Sequence, residues 1–392
     1  MSKSYIVSAV RTPIGSFGGS LASLSAPQLG SHAVKSAIAT AGIDPALIEE
    51  VILGNVVSAN LGQAPARQAA LLAGLGQQVP CTTVNKVCSS GMKSIMFAAQ
   101  AIELGQADVI VAGGFESMSN IPYYVPKARF GYKFGSASLV DGLERDGLQD
   151  AYDKVPMGIS ADQTAAECNI TREMQDEYAV NSYKKAAKAT ESGRFRHEIA
   201  PISIKQRRGD DLIIDTDEEF TKVKFEKIPS LRAVFTKDGT VTAANASTIN
   251  DGASALIIVS ERFLKQHNLT PLARIASYAD AAREPMRFPL APALAAPKAL
   301  ERAGIKAKDV SASEVNEAFA MVPLSFTQLV DVDPATMNMN GGAVSLGHPL
   351  GMSGARIVGT LAHELKLSGG KHGLAAICNG GGGASALVLE KA

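Results

Sequence analysis

The chain repeats itself. Ala41-Gly42-Ile43, followed by a polar stretch and the apolar run Val51-Ile-Leu-Gly-Asn-Val56, returns as Ala303-Gly304-Ile305 leading into Ser313-Glu-Val-Asn316. Gly91-Met92 returns as Gly351-Met352, and Val109-Ile-Val-Ala-Gly-Gly114 as Leu374-Ala-Ala-Ile-Cys-Asn-Gly-Gly381. The three pairs share a spacing of roughly 260 residues, as expected of a duplicated supersecondary unit. Each copy reads as strand, amphipathic helix, strand, helix, strand. Leu29, Ala33, Val34, Ala37, Ile38 and Ala41 form a helical apolar stripe. Residues 109–112 and 374–377 are apolar at every position, as in strands covered on both faces. The pattern predicts an α/β chain with helices layered on mixed or parallel sheets.

A chain of 392 residues exceeds what one hydrophobic core usually supports. The repeat divides it into an N-terminal core domain over residues 1–117, completed by about 250–270, and a C-terminal core domain over 271–392. Residues 118–249 are left over and differ in character: aromatic and glycine loops, a charged helix from Thr171 to Gly193, then a polar run. They read as an inserted loop domain. Its basic residues Arg207, Arg208, Lys222, Lys224, Lys227 and Arg232 suit a phosphorylated ligand. Asp210, Asp211, Asp217, Glu218 and Glu219 are interleaved with them, which suits a merely solvated surface equally well.

Formal net charge is zero, so no broad nucleic-acid or membrane surface is expected. Four widely spaced cysteines without a C-x-x-C pair argue against a disulfide framework and a structural zinc site, and point to a reducing compartment. The N-terminus carries no secretory or transit signature, no apolar run reaches membrane-spanning length, and the last residues are not a peroxisomal address. The cytosol is the expected location.

Four residues carry chemical promise. Cys88 stands where the extended stretch from Cys81 to Val87 gives way to a helical one. A helix N-terminus favours an anion, hence a thiolate; otherwise Cys88 is a small buried hydrophobe. His348 lies among glycines in Gly347-His-Pro-Leu-Gly351 and could deprotonate a thiol, or could simply be a turn residue. Cys378 follows an apolar strand and precedes the glycine run 380–383, whose N–H groups could line an oxyanion pocket; the alternative is a tight hairpin with an incidental thiol. Asn316 ends a short strand, either facing the region of His348 or capping a helix. Two thiols and an imidazole suggest carbon–carbon bond chemistry on a thioester. A metal site of Cys88, His348 and Cys378 lacks a close ligand pair.

Together, Asn85-Lys-Val-Cys-Ser-Ser-Gly-Met92, Asn316-Glu-Ala-Phe-Ala320, Gly341-Gly-Ala-Val-Ser-Leu-Gly-His-Pro-Leu-Gly351 and Cys378-Asn-Gly-Gly-Gly-Gly383 resemble the four active-site segments of the thiolase family, above all its biosynthetic branch. The resemblance implies a five-layered αβαβα fold. It implies a reversible Claisen condensation of two acetyl-CoA to acetoacetyl-CoA and CoA through an acetyl-cysteine, feeding mevalonate and sterol synthesis. Cys88 would be the nucleophile activated by His348, and Cys378 the acid/base. Asn316 (through a water) and His348 would form one oxyanion site, with the N–H groups of Cys88 and Gly380 forming the other.

The resemblance further implies no tightly bound cofactor, with coenzyme A arriving as substrate along Leu148, Met157, Phe235, Ala243, Ser247, Ala318 and Phe319. Lys222 and Lys227 would be its phosphate or adenine contacts. Pro156 stands where many relatives carry histidine, which puts that contact to the pantetheine arm in doubt. Tyr183 and the carbonyls of Ala243, Ala244, Ala246 and Val344 occupy the positions of a potassium site found in a subset of the family. Phe288-Pro289 resembles a pair near the acyl pocket of relatives accepting a 2-methyl branch. A homotetramer, built as a dimer of dimers, is the implied assembly. A 3-ketoacyl-CoA thiolase of fatty-acid oxidation and a non-catalytic acyl-CoA or lipid-binding relative are the competing expectations.

Overall fold

The computed structural model describes residues 2–392. Its main sheet is built from β1 (Ser4–Arg11), β2 (Glu50–Gly54), β3 (Cys81–Val84), β4 (Val109–Ser117), β5 (Asn250–Ser260), β6 (Ala273–Ala282), β7 (Ala312–Val315), β8 (His372–Asn379) and β9 (Gly383–Glu390). The two-residue strand Gly15–Ser16 pairs with β5 as a tenth member. The strand order is β7-β8-β9-β6-β1-β5-β4-β2-β3. Strands β3, β2 and β4 run parallel, and β5 and β1 follow antiparallel. The second half repeats this: β7 and β8 are parallel, then β9 and β6 are antiparallel. Beyond β7, Met337 makes an isolated parallel bridge to Ser313, where a copy of β3 would lie. The halves join edge to edge, since β1 and β6 pair antiparallel through Ser4–Ile275, Tyr5–Arg274 and Ile6–Ala273. The repeat predicted the half-sheets but not this seam.

The longer helices are α1 (Ala26–Ala41), α2 (Pro65–Leu72), α3 (Ser90–Glu103), α4 (Met157–Glu167), α5 (Arg172–Glu191), α6 (Pro292–Ala303), α7 (Met321–Leu329) and α8 (Leu350–Ser368). The repeated Ala-Gly-Ile segments are the ends of α1 and α6. Gly42 and Gly304 close them at φ 65° and 68°, a left-handed geometry that costs a glycine nothing.

Period-two alternation sorts the strand residues into layers. Ile110, Leu256 and Ile258 face a core shared with Met92, Ile95 and Met96 of α3 and Ile357, Val358 and Leu361 of α8. Ile377, Leu387 and Leu389 of the second half face the same core. The alternate residues Val111 and Ile257 pack outward on α1 and α2, and Leu374 and Val388 pack outward on α6 and α7. Helix, sheet, helix, sheet, helix is therefore the order of layers. Burying each such Val, Leu or Ile contributes about 1.5–3 kcal/mol.

In the middle layer α3 and α8 cross at their N-termini through glycines. A Cβ on Gly354 would lie 2.5 Å from the amide nitrogen of Met92, so only glycine allows this approach. The crossing brings together the starts of two helices that are far apart in sequence.

Residues 118–249 run between β4 and β5 and carry α4, α5 and two small hairpins, Tyr123–Tyr124 with Val140–Asp141 and Ile202–Ile204 with Leu212–Ile214. A buried ion network fastens this segment to β1. Arg11 donates to Glu198 Oε1 at 2.6 Å and, through both terminal nitrogens, to Asp217 at 2.7 and 2.8 Å. The acidic residue Asp217 is thus structural, not part of a solvated run.

Candidate active site

A sharp strand–turn–helix presents Cys88. After β3, Asn85 Oδ1 accepts the Val87 N–H at 2.9 Å, and Val87 adopts φ 49°, uncommon for a β-branched residue. Ser90 Oγ accepts the Lys86 N–H at 2.8 Å and donates to the Val87 carbonyl at 2.6 Å, after which α3 begins. The sequence expectation was a thiol made acidic by the helix. Instead, burial pushes the Cys88 thiol up to about 12, while the N–H groups of Gly380 and of Cys88 itself pull against the rise. A helix terminus contributes about 0.3–1 kcal/mol, less than one pKa unit, so desolvation wins.

His348 is held by its surroundings. Its N–H donates to Asn250 Oδ1 at 2.9 Å, and Nδ1 lies 2.6 Å from Ser353 Oγ, which itself donates to the Pro349 carbonyl. Nε2 is buried with no partner among the described residues. Burial, assisted by the Arg356 charge, pushes the imidazole down to about 3, so it is neutral at physiological pH. Asn316 does not cap a helix. Its N–H donates to the Ala376 carbonyl at 2.9 Å, and α7 starts only at Met321. Both polar atoms of its buried side chain are unpartnered, like His348 Nε2. Such atoms cost about 1–3 kcal/mol each and mark a place where a ligand or water completes the bonding.

Cys378 is the penultimate residue of β8, paired across the β8–β9 hairpin with Ala384. The tight hairpin exists, turning through Gly381 and Gly382 at φ 80° and 86°. The thiol is not incidental to Cys88, however: burial and the nearby Cys88 sulfur both push Cys378 up. All four cysteines are free.

Cys88, His348 and Gly380 line one cavity of about 720 Å³. Its walls include Leu148, Met157, Phe235, Ala243, Ser247, Ala318 and Phe319, all expected on the coenzyme A path. Ser247 donates from N and Oγ to the Ala318 carbonyl at 3.0 and 2.9 Å, and Phe235 meets Phe319 edge to face. Pro156, Phe288 and Ala246 also reach the lining. Cys378 and Asn316 are essentially without exposure and do not line the cavity. Lys222 and Lys227 do not line the cavity. The Lys222 ammonium is bound to Ser16, which does, and to Glu218 at 3.5 Å, while Lys227 points to solvent.

Tyr183 and Val344 pack in one small cluster with Ala320. The Tyr183 hydroxyl makes no hydrogen bond among the described residues; burial and the carboxylates Glu219 and Glu317 push it up. The phenol thus offers an oxygen ligand beside two carboxylates. Ala243 and Ala246 sit on the cavity wall, and Ala244 is buried without reaching it.

Sequence reasoning missed Asn250, Ser353 and Glu317. Glu317 accepts from Tyr178, Ser182, Asn338 and the Val344 N–H at 2.8, 2.8, 3.0 and 3.1 Å, tying Asn316 to the His348 loop and α5. Ser353, one turn into the helix after Pro349, was the one accessible to local reasoning.

Residues 4–262 match the thiolase N-terminal domain family and residues 269–391 the thiolase C-terminal domain family. The chain belongs to the thiolase family and is an acyltransferase. It is 56% identical over 386 residues to a probable acetyl-CoA acetyltransferase of Dictyostelium discoideum, covering 98% of this chain and 93% of that protein. It is 55% identical to the acetyl-CoA acetyltransferase of Saccharomyces cerevisiae, covering 99% and 98%, and 54% identical to the mitochondrial enzyme of Bos taurus, covering 98% and 91%. The crystal structure of an Ascaris suum thiolase in complex with coenzyme A superimposes with a TM-score of 0.94 at 46% identity, each chain covered completely.

Proposed function

We propose that the protein is an acetyl-CoA C-acetyltransferase, joining two acetyl-CoA into acetoacetyl-CoA and CoA, and running the reverse cleavage when metabolite levels favour it. The observation that carries this reading is one cavity lined by Cys88, His348 and Gly380, with His348 Nε2 left without a partner among the described residues. Relatives with that name span the chain, and coenzyme A occupies the structural neighbour.

In the first step Cys88 Sγ attacks the acetyl carbonyl and its proton passes to His348 Nε2, which returns it to the departing CoA sulfur. The N–H groups of Cys88 and Gly380 stabilise the oxyanion, each such donor contributing about 2.7–4 kcal/mol. In the second step Cys378 removes an α-proton from the next acetyl-CoA. The enolate oxygen is held by His348 Nε2 and a water on Asn316; the carbanion attacks the acetyl-Cys88 carbonyl, the carbon–sulfur bond breaks as the carbon–carbon bond forms, and the departing Cys88 sulfur takes the proton that Cys378 removed. Holding both acetyl groups in place replaces a rare encounter in solution.

Coenzyme A would lie along Leu148, Met157, Phe235, Ala243, Ser247, Ala318 and Phe319, with Lys222 and Lys227 available to the nucleotide end only after rearrangement. Potassium would be held by Tyr183 and the carbonyls of Ala243, Ala244, Ala246 and Val344, supplying positive charge that rigidifies the cavity wall. Identical rates and melting temperatures in potassium, sodium and a large organic cation would remove that element.

A cytosolic homotetramer supplying mevalonate and sterol synthesis completes the reading. The exposed aromatics Phe130 and Phe134 in the inserted segment support assembly between copies. Incubation with acetyl-CoA followed by peptide mass analysis tests the core claim: the acetyl group is expected on Cys88, and Cys88→Ala is expected to fold and lose turnover. Turnover retained by Cys88→Ala overturns it. Efficient cleavage of substrates beyond about four acyl carbons would favour a fatty-acid-oxidation thiolase.

A further inference from the structure

The turn carrying Cys88 is gripped from both sides by the hairpin carrying Cys378. Ser89 Oγ lies 3.0 Å from Asn379 Oδ1 and 3.4 Å from the Ile377 carbonyl, the two residues flanking Cys378. Lys86, two residues before Cys88, donates from Nζ to the Ala384 carbonyl at 3.0 Å and to Ser385 Oγ at 2.8 Å. Across the hairpin, Ala384 is the partner of Cys378 itself and Ser385 the partner of Ile377. The third N–H of Lys86 is taken by Asp280 Oδ1 on β6 at 2.6 Å, an oxygen that also accepts from Ser385 Oγ at 2.7 Å. An ammonium has three donors, and all three are used on the second half of the duplicated fold.

We propose that Lys86, fixed by Asp280 and Ser385, is a positioning residue that sets the separation of the two thiols. It thereby acts on carbon–carbon bond making and breaking rather than on acetylation of Cys88. The inference rests on the division of labour between Cys88 and Cys378 proposed above. Acetylation needs Cys88 and His348. The Cys88 turn has its own local bonds through Asn85 and Ser90, and His348 is held by Asn250 and Ser353. None of these uses the Lys86 side chain. Condensation and thiolysis need the acetyl-Cys88 carbonyl and the Cys378 sulfur on opposite sides of one reacting carbon. Misplacement of such groups by about 1 Å costs on the order of 100-fold. Neither Lys86 nor Asp280 lines the cavity, so neither touches substrate.

Lys93 supplies the control. Its Nζ binds the other oxygen of Asp280 at 2.7 Å, yet it stands on α3 beyond the turn and makes no side-chain hydrogen bond to the hairpin strand β9. The experiment compares Lys86→Met, Asp280→Asn and Lys93→Met in the full-length enzyme. It measures exchange of labelled CoA into acetyl-CoA, which reports acetylation alone, beside condensation, thiolysis and thermal melting.

Lys86→Met and Asp280→Asn should lower kcat for condensation and thiolysis by about 10- to 100-fold while exchange stays within about threefold. Lys93→Met should leave both near wild type. The double variant Lys86→Met/Asp280→Asn should be no worse than the weaker single variant, because the two residues form one contact. If Lys86→Met does not fold, Ser385→Ala removes one of its partners and should show the same split at smaller size. Equal loss in exchange and condensation, no loss in either, or a Lys93→Met variant matching Lys86→Met overturns the proposal. Failure of the underlying reading is separately visible: Cys378→Ala would then condense at the wild-type rate, or no acetyl-Cys88 would form.

Discussion

Gly91 of α3 and Gly351 of α8, copies of one position in the duplicated chain, touch each other: a Cβ on Gly91 would lie 2.8 Å from the Gly351 carbonyl oxygen and 2.7 Å from the Ala355 amide nitrogen. Both obstacles are backbone and cannot turn aside. This contact holds the Cys88 turn against the His348 loop, so the separation of nucleophile and imidazole depends on two missing side chains.

Gly91→Ala should therefore destabilise the fold by about 1–3 kcal/mol, the usual cost of overpacking, and depress activity in the protein that still folds. Chemical denaturation and kcat measured on the same preparation check it. A variant with unchanged stability and unchanged kcat would show that the helices can separate without consequence.

Asn316→Ala should do the opposite to stability. The side-chain amide is buried and unpartnered, so removing it relieves a desolvated polar group, and the melting temperature should hold or rise. Activity should fall about 100- to 1,000-fold, the cost typical of losing an oxyanion contact. A melting temperature several degrees lower with kcat retained would make Asn316 a structural residue instead.

Alkylation of Cys88 should climb with pH without levelling off. Burial pushes the thiol up to about 12, so at pH 7–10 the thiolate is a small fraction that grows tenfold per unit. Iodoacetamide labelling of the substrate-free enzyme should follow that slope. A plateau below pH 8 would instead mean a preformed thiolate–imidazolium pair.

His348 should contribute to acid sensitivity. Its ordinary value of 6.5 is pushed down to about 3 in the folded protein, so between these values the unfolded chain binds a proton that the native state refuses. The stability it contributes is fully present above pH 6.5 and is lost as pH falls toward 3. The slope is about 1.4 kcal/mol per pH unit. Unfolding free energies of wild type and His348→Gln between pH 7 and 4 should diverge accordingly, with the variant less pH-dependent. Parallel curves would place the native imidazole in water.

Much of this protein was legible in its residue order. The duplication showed in Ala-Gly-Ile segments that turned out to be paired helix ends, because a left-handed cap favours glycine. The reactive segments stood out because turns at Val87, Gly347 and Gly381 need small or unusual neighbours. Period, cap and turn are local properties, set by residues a few positions apart.

Tertiary structure alone decided the rest. The β1–β6 seam, the bond from Asn250 to His348 and the grip of Lys86 on Ser385 join residues from 98 to 299 positions apart. No local pattern encodes such distances; they follow from how the middle helices pack. The same holds for ionisation. A helix start promised an acidic Cys88, but the water lost when the two halves close around it outweighs the helix and leaves a neutral thiol.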